Sequence, residues 1–253
     1  GTADALVTAT DPQGNTGGIT RVPVTIDTAA PAAPVARLDV SSNSGITSDN
    51  ITLDNTPLLS GTGVAGDTIT IRDANGNTLG TVAVASDGTW SFQTPTALPN
   101  GPANFQFTAT DPAGNTSAPT TLAIVIDTVV ANPVITPTNG KGAITGTGEA
   151  GATVTVLDAA SNVIGTAVVG TDGTWRLTPA ADVPNGTALS ATQTDVAGNT
   201  SNPGTATVDN NVPSINPTNG TVLTGTGKPG NTIAVTLPDG SPIRDANGAP
   251  LVV

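Results

Sequence analysis

Hydrophobic and polar residues alternate along most of this chain, in short runs that end at turns. In the stretch Phe105–Ala118 (FQFTATDPAGNTSA) an alternating run ends in Thr-Asp and enters a turn that contains Gly-Asn-Thr. A second alternating run follows and closes on Asp127. A period of two residues is typical of a strand with one buried face, so the pattern predicts a β-hairpin that ends in a carboxylate.

This hairpin recurs. The other copies are Ala5–Gly17 (ALVTATDPQGNTG), which closes on Asp27, and Leu189–Asn202 (LSATQTDVAGNTSN), which closes on Asp209. Trp90 and Trp175, each in the sequence Asp-Gly-Thr-Trp, lie 85 residues apart. A fixed period of this length indicates a chain built from repeated modules of fewer than about a hundred residues.

The period predicts four segments. They are the closing hairpin of a truncated repeat (1–30), a repeat with an N-terminal insert (31–130), a second repeat (131–211) and the opening strands of a truncated repeat (212–253). Pro31 and Pro34 mark the first boundary, because proline blocks strand continuation. We expect the polar insert Arg37–Asn55 next to the preceding module. The terminal half-repeats could complete each other between chains, and any targeting segment is expected outside this sequence.

No stretch shows helical periodicity, and strands of five to eight residues recur between Gly, Pro, Asn and Asp turns. The pattern predicts an all-β chain of antiparallel β-sandwiches with light aliphatic cores. We expect Trp90 and Trp175 to anchor these cores. The functional alternative for the two tryptophans is a platform on which sugars stack.

The composition removes several classes of function. The chain has no Cys, His, Met or Tyr, so disulfides, histidine- or thiolate-ligated zinc and Ser-His-Asp or Cys-His nucleophiles are excluded. Nineteen acidic and seven basic residues give a formal charge of −12, which argues against nucleic acid and anionic membranes as partners. The longest purely apolar run, Leu122–Ile126, is too short to cross a bilayer. We expect no active site.

Three glycine motifs satisfy G-x-G-x-x-G: Gly61–Gly66 (GTGVAG), Gly146–Gly151 (GTGEAG) and Gly225–Gly230 (GTGKPG). A dinucleotide-binding loop needs a helix after it, and here a predicted strand follows each time. We therefore interpret the glycines as the turn that joins the first two strands of each sandwich.

The candidate chemistry lies in the aspartates, which are eighteen of the nineteen acidic residues. In a sandwich of this kind the last strand ends at the pole that faces the next module. Asp127 should therefore approach Asp158, Asp195 and Asn199. Asp27 should likewise meet Asp111, Asn115 and Asp73, with Asp49 and Asp54 of the insert close by. Carboxylates brought together repel unless neutralised, and Ca²⁺ accepts six to eight oxygen ligands. The alternative is that each aspartate caps its own turn.

The combination of GTGEAGATVTVLD, DGTW, ATDPAGNTS and a closing Ile-Asp-Thr resembles the tandem immunoglobulin-like repeats of giant bacterial surface adhesins. These are the biofilm-associated proteins and the large adhesins exported by type I secretion. The resemblance implies an elongated rod of immunoglobulin-like β-sandwiches, stiffened by Ca²⁺ at the joints. It supports Asp27, Asp111, Asp127 and Asp195 as metal ligands and supports Asp209 less well, because Asp209-Asn210-Asn211 departs from Asp-Thr.

These observations predict a non-catalytic, extracellular stalk segment of a bacterial adhesin that functions in cell adhesion and biofilm formation. Its expected partners are neighbouring repeats of the same chain and like chains on other cells. Two alternatives remain at this stage: a ligand- or glycan-binding module, and accessory domains of a secreted polysaccharide-active enzyme.

Overall fold

The computed structural model describes residues 1–216, 224–229, 233–234 and 236–244, and in these ranges it contains nineteen β-strands and no helix. The predicted all-β class is therefore confirmed. Two compact units are present. Unit 1 comprises Gly1–Val130 together with the turn Asp195–Asn199, and unit 2 comprises Ala131–Thr194 and Thr200–Val253.

Unit 1 contains ten strands. They are β1 (Thr2–Val7), β2 (Thr20–Thr25), β3 (Val35–Leu38), β4 (Ile51–Thr52), β5 (Leu58–Thr62), β6 (Thr68–Asp73), β7 (Thr78–Ala83), β8 (Thr89–Gln93), β9 (Gly101–Thr110) and β10 (Thr120–Ile126). Strands β1 and β2 pair with each other in a separate two-stranded sheet, which is the predicted hairpin. The others form a three-stranded sheet in the order β3-β5-β8 and a five-stranded sheet in the order β4-β10-β9-β6-β7.

The core of unit 1 lies between these two sheets. Ile69 and Ile71 of β6 and Phe107 of β9 are fully buried and alternate with more exposed residues, as a half-buried strand requires. Trp90 of β8 is 4% exposed, packs against Phe107 with ring centroids 5.4 Å apart and donates its indole N–H to the carbonyl of Thr62. The tryptophan is therefore a core anchor, as predicted, and presents no stacking face to a sugar.

Unit 2 repeats this plan. Its strands are β11 (Val134–Ile135), β12 (Ile144–Thr147), β13 (Thr153–Leu157), β14 (Val163–Val168), β15 (Thr174–Leu177), β16 (Ala188–Thr194), β17 (Gly204–Thr207), β18 (Ser214–Ile215) and β19 (Gly225–Thr226). One sheet has the order β11-β12-β15 and the other β14-β13-β16-β17, while β18 pairs with β19. Trp175 is 2% exposed and bonds the carbonyl of Thr147, so it holds the position that Trp90 holds in unit 1.

The first glycine of the first two G-x-G-x-x-G motifs does not lie in a turn, contrary to the sequence-based expectation. Gly61 lies within β5 and Gly146 within β12, so neither forms the turn between the first two strands. A Cβ at Gly61 would collide with the carbonyl of Val35 and the Trp90 indole, and one at Gly146 would collide with the carbonyl of Val134 and the Trp175 indole. Glycine is needed there because the carbonyl of the neighbouring strand and the tryptophan ring both lie where a Cβ would be. A strand follows the first two motifs, as the sequence predicted.

The truncated last repeat is described only in part. Its predicted strand Thr232–Asp239 lies partly outside the described residues, and the final residues 245–253 lie wholly outside them. A membrane-spanning helix is not found anywhere in the described ranges.

Candidate metal centre

One turn recurs five times in the described part of the chain. In each copy an aspartate accepts a backbone N–H bond at Oδ1 and a side-chain amide bond at Oδ2, both over 2.8–2.9 Å and both from the asparagine four residues later. The pairs are Asp11–Asn15, Asp73–Asn77, Asp111–Asn115, Asp158–Asn162 and Asp195–Asn199. Hydrogen bonds to a carboxylate stabilise its ionised form, so each aspartate has a local structural role as a turn cap.

These bonds also affect the acidity of the aspartates. The side-chain amide of the partner asparagine is the largest influence that lowers the pKa of Asp11, Asp73, Asp111 and Asp158 below the ordinary value. These four carboxylates therefore stay ionised across the physiological range.

Two of the five turns are also bonded to a boundary aspartate. The side-chain amide of Asn115 donates to the main-chain carbonyl of Asp27 over 3.2 Å, and that of Asn199 donates to the carbonyl of Asp127 over 2.8 Å. The sequence had predicted that these residues would approach one another. The asparagine thus connects the aspartate of its own turn to the aspartate that follows a closing strand.

Asp127 and Asp195 are two carboxylates of unit 1 that lie close together. Each offers an oxygen within 4.8 Å of the other, and Asp195 is only 7% exposed. Neither carboxylate belongs to an ion pair among the described residues. Two like charges at this separation repel by about 1 kcal/mol in bulk water and by more where solvent is excluded. A cation between them would turn this repulsion into attraction.

The donor set fits a hard divalent ion. The groups at this position are carboxylate and carbonyl oxygens and an amide, with no histidine or thiolate in the chain. Oxygen-only sets suit Ca²⁺ or Mg²⁺, and the flexible geometry of Ca²⁺ tolerates ligands on separate loops. Asp127 and Asp195 are therefore the residues that would hold such an ion.

The structure places the insert differently from the expectation. Strand β4 of the insert pairs in parallel with the end of β10, so that the backbone N–H of Asp127 bonds the carbonyl of Thr52. Asp49 and Asp54 are consequently at the Asp127 end of the repeat, and their predicted position beside Asp27 is wrong. Their carboxylates accept bonds within the insert, from the backbone N–H of Ile51 and from the Ser42 hydroxyl.

The insert also contacts the Asp195–Asn199 turn. The Ser44 hydroxyl donates to the carbonyl of Ala197 over 2.6 Å, and the N–H of Ile46 donates to the carbonyl of Val196 over 3.0 Å. Gly45 lies between these two residues at φ 61°, and a Cβ there would collide with the Val196 carbonyl. The insert is therefore a brace on this turn.

Asp73 and Asp158 do not lie where the sequence predicted. In the antiparallel pair of β6 and β9, Thr68 is opposite Thr110, next to Asp111, whereas Asp73 is opposite Phe105 at the other end. Asp158 likewise follows Leu157, which pairs with Ser190, far along β16 from Thr194. Five residues of strand span about 17 Å, so both are turn caps at the remote pole.

Asp209 has a different partner. Lys228 contacts its carboxylate with Nζ 2.7 Å from Oδ2, and this hydrogen bond is the main cause that lowers the pKa of Asp209. Lys228 occupies the fourth position of GTGKPG, where the second repeat has Glu149. An ammonium group thus already neutralises this boundary carboxylate.

The sequence reasoning missed Lys228, and it also missed Asp67, a buried aspartate in the loop after Gly61–Gly66. Both residues occupy positions at which the glycine motif varies between its copies, which read GTGVAGD, GTGEAGA and GTGKPGN. That variation could have drawn attention to them.

Comparison with known families agrees with this architecture. Residues 30–128 match the family of bacterial Ig-like domains, and residues 131–210 match the family of bacterial Ig domains. The chain belongs to the bacterial immunoglobulin-like domains. The predicted tandem arrangement of immunoglobulin-like repeats is thereby confirmed. No curated protein matches the chain.

Several solved structures are similar to these immunoglobulin-like repeats. The BSP domain of a biofilm-associated protein is 28% identical over 70% of this chain and 29% of its own, with a TM-score of 0.31. A Ca²⁺-stabilised adhesin that helps an Antarctic bacterium bind ice is 28% identical over 81% of this chain and 56% of its own, with a TM-score of 0.38. A tetra-tandem repeat from the extending region of a large adhesion protein is 22% identical over 85% of this chain and 58% of its own, with a TM-score of 0.33. The chain thus spans 29–58% of the length of these relatives.

Proposed function

We propose that this chain is a structural stalk segment of a bacterial cell-surface adhesin, located outside the cell, in which Ca²⁺ at the boundary aspartates stiffens the connection between repeats. Its role in adhesion and biofilm formation is mechanical: it provides length and reach to a binding region elsewhere in the protein. The partners of each repeat are its neighbours in the same chain.

One observation carries the proposal, and it is the arrangement of Asp127, Asp195 and Asn199. Asp127 directly follows β10, the last strand of the domain at residues 30–128, and Asp195 and Asn199 form the closing turn of the domain at residues 131–210. The Asn199 amide bonds the Asp127 carbonyl, while the two carboxylates lie within 4.8 Å and lack a basic partner among the described residues. The Asn199–Asp127 hydrogen bond joins the two boundary segments, but the repulsion between the carboxylates opposes it, so a divalent cation would stabilise the position.

The expected size of the effect follows from mass action. Extracellular Ca²⁺ modules bind with Kd of roughly 10⁻⁴–10⁻³ M. At a hundredfold excess over Kd, one site that exists only in the folded state adds about 2.7 kcal/mol to the free energy of unfolding. For a module of this size, each kcal/mol raises Tm by roughly 4–8 °C.

The test is calorimetric melting of the full chain in EDTA, in 10 mM Ca²⁺ and in 10 mM Mg²⁺. We expect Ca²⁺ to raise Tm by several degrees, and Asp127→Asn to remove most of that increase. Asp73→Asn is the matched control, because it alters the same kind of turn away from the boundary; its Ca²⁺-dependent increase should equal that of the wild type. An equal increase in Asp127→Asn and wild type would contradict the proposal.

A further inference from the structure

Lys228 of the last repeat forms an ion pair with Asp209, which follows the last strand of the second repeat. The ammonium group lies 2.7 Å from Oδ2 of Asp209, and Oδ1 accepts the backbone N–H of Asn211 over 3.1 Å. A hydrogen bond between two charged groups at such a distance is of the short, strong kind. Both oxygens of this boundary carboxylate therefore already have a donor.

The ammonium group belongs to a position of the glycine motif whose charge changes from copy to copy. The fourth residue of the motif is Val64 in GTGVAG, Glu149 in GTGEAG and Lys228 in GTGKPG, so it is neutral, negative and positive in turn. The boundary aspartate that precedes the motif is Asp127 in the second case and Asp209 in the third. In the sequence, the boundary at Asp127 therefore combines two acidic residues, whereas the boundary at Asp209 combines an acidic residue with a basic one.

The backbone connection at this boundary is also shorter. Pro133, in the sequence Pro-Val-Ile, lies six residues after Asp127, whereas Pro213, in the sequence Pro-Ser-Ile, lies four residues after Asp209. Two residues fewer shorten the reach of an extended connection by about 7 Å. The ion pair therefore forms where the connection already limits how far the two repeats can separate.

The ion pair lies at an open cleft of about 540 Å³. Lys228 is the contribution of the last repeat to the lining of this cleft, and the other lining residues belong to the second repeat, among them Thr138, Asn139 and Thr207. The side chain of Lys228 is 60% exposed and that of Asp209 is 31% exposed. Water and dissolved ions reach the pair, so its strength depends on ionic strength, unlike that of a buried pair.

We propose that Lys228 holds the joint between the second repeat and the last repeat without calcium, because its ammonium group occupies the side of the Asp209 carboxylate that a divalent cation would need. The positive charge of the ammonium group also repels a cation that approaches Asp209. The joint at Asp209 therefore responds to the concentration of monovalent salt and not to Ca²⁺. This inference rests on the proposed function and deepens it, since one stalk then contains joints of two classes, which the fourth residue of the glycine motif distinguishes.

The experiment measures distances across the Asp209 joint in the full chain. The chain has no cysteine, so two introduced cysteines carry spin labels at chosen positions. Asn202→Cys in the second repeat and Pro238→Cys in the last repeat are exposed positions on either side of the joint. Pulsed electron paramagnetic resonance gives the distribution of distances between the labels in EDTA, in 10 mM Ca²⁺ at matched low ionic strength, and in 1 M NaCl. In 1 M salt the Debye length of about 3 Å is comparable with the length of the ion pair.

We expect the distribution to be equally narrow in EDTA and in Ca²⁺ and to broaden in 1 M NaCl. An exposed pair of this kind changes the ratio of closed to open joints by roughly 1.4- to 5-fold. Lys228→Met should therefore give the broader distribution in all three buffers. Lys141→Met, which makes the same change in net charge at another exposed position, should behave as the wild type.

A charge exchange separates the ion pair from a general effect of the substitution on folding. Asp209→Lys alone places two ammonium groups at the joint and should broaden the distribution in EDTA. Asp209→Lys combined with Lys228→Glu restores opposite charges and should narrow it again.

The outcomes distinguish this inference from the proposed function. If Ca²⁺ narrows the distribution across the Asp209 joint, or if Lys228→Met leaves it unchanged in EDTA, the inference is overturned. A second label pair, Ser86→Cys with Ala160→Cys, uses exposed positions on either side of the Asp127 boundary and tests the proposed function in the same buffers. If Ca²⁺ does not narrow that second distribution, calcium at Asp127 is rejected, while the result for Lys228 stands by itself.

Discussion

The side-chain amide of Asn199 bonds the main-chain carbonyl of Asp127 over 2.8 Å, and the same amide group bonds the Asp195 carboxylate. One asparagine thereby fixes both the backbone at the end of a closing strand and a carboxylate that would face a cation. Asn115 makes the equivalent two bonds to Asp27 and Asp111. The predictions below follow from this repeated arrangement.

Asn199→Ala should destabilise the chain more than Asn77→Ala. Both changes remove an amide bond to a turn aspartate, but only the first also removes the bond to Asp127. A net hydrogen bond contributes about 1 kcal/mol, so the difference in the free energy of unfolding should be of that order. Urea denaturation of both variants measures it. Equal destabilisation would mean that the boundary bond adds nothing.

Gly45→Ala should detach the insert from the Asp195–Asn199 turn. The position has φ 61°, which costs an L-residue roughly 1–2 kcal/mol, and the new Cβ would also meet the Val196 carbonyl. Gly76→Ala is the matched control, because its φ is 83° but its surroundings are open. Hydrogen exchange of the Ile46 amide, which bonds Val196, should accelerate in Gly45→Ala alone. Unchanged protection would show that the insert does not depend on this contact.

Acid should destabilise the chain through its turn caps. The folded-state pKa values of Asp73 and Asp158 lie below the ordinary 3.8, mainly because of bonds from Asn77 and Asn162. A lowered folded-state pKa gives stability that is present above the unfolded pKa and is lost as pH falls through the folded pKa. The urea midpoint should therefore fall progressively below about pH 4. In Asn77→Ala combined with Asn162→Ala this fall should be shallower, and an equally steep fall would refute the assignment.

Removal of the Lys228 ammonium should raise the pKa of Asp209. Lys228→Met takes away both the hydrogen bond at 2.7 Å and the positive charge that favour the Asp209 carboxylate. Carbon-detected NMR titration of the aspartate carboxyl groups should show the Asp209 midpoint moving toward the ordinary value. Lys141→Met, which changes the net charge equally at another position, should leave that midpoint in place. An unmoved midpoint in Lys228→Met would show that the ion pair does not form in solution.

The sequence was sufficient to predict the all-β class, the tandem repeats and the approach of Asn199 to Asp127. The class and the repeats follow from alternation and from motifs that recur in register, both of which are local, whereas the approach of Asn199 to Asp127 was predicted from the pole at which the last strand of such a sandwich ends. The core position of Trp90 and Trp175 was predictable for the same reason, because one large residue recurs among small aliphatic ones.

The errors arose where local sequence is ambiguous. The turns at Asp73 and Asp111 both have the pattern Asp-x-x-x-Asn, so only the strand register separates one pole from the other. The insert was misplaced because β4 has two residues and its parallel pairing with β10 has no sequence pattern. Asp67 was missed because nothing in the local sequence marks this aspartate as buried.

The most direct test of the calcium account is small-angle scattering of the full chain in EDTA and in 10 mM Ca²⁺, with Asp127→Asn measured beside it. If Ca²⁺ bound at Asp127 and Asp195 stiffens the connection between repeats, the wild-type maximum dimension should lengthen and its distribution of distances should narrow on addition of Ca²⁺. Asp127→Asn should show the EDTA profile in both buffers. Identical wild-type profiles with and without Ca²⁺ would contradict the account.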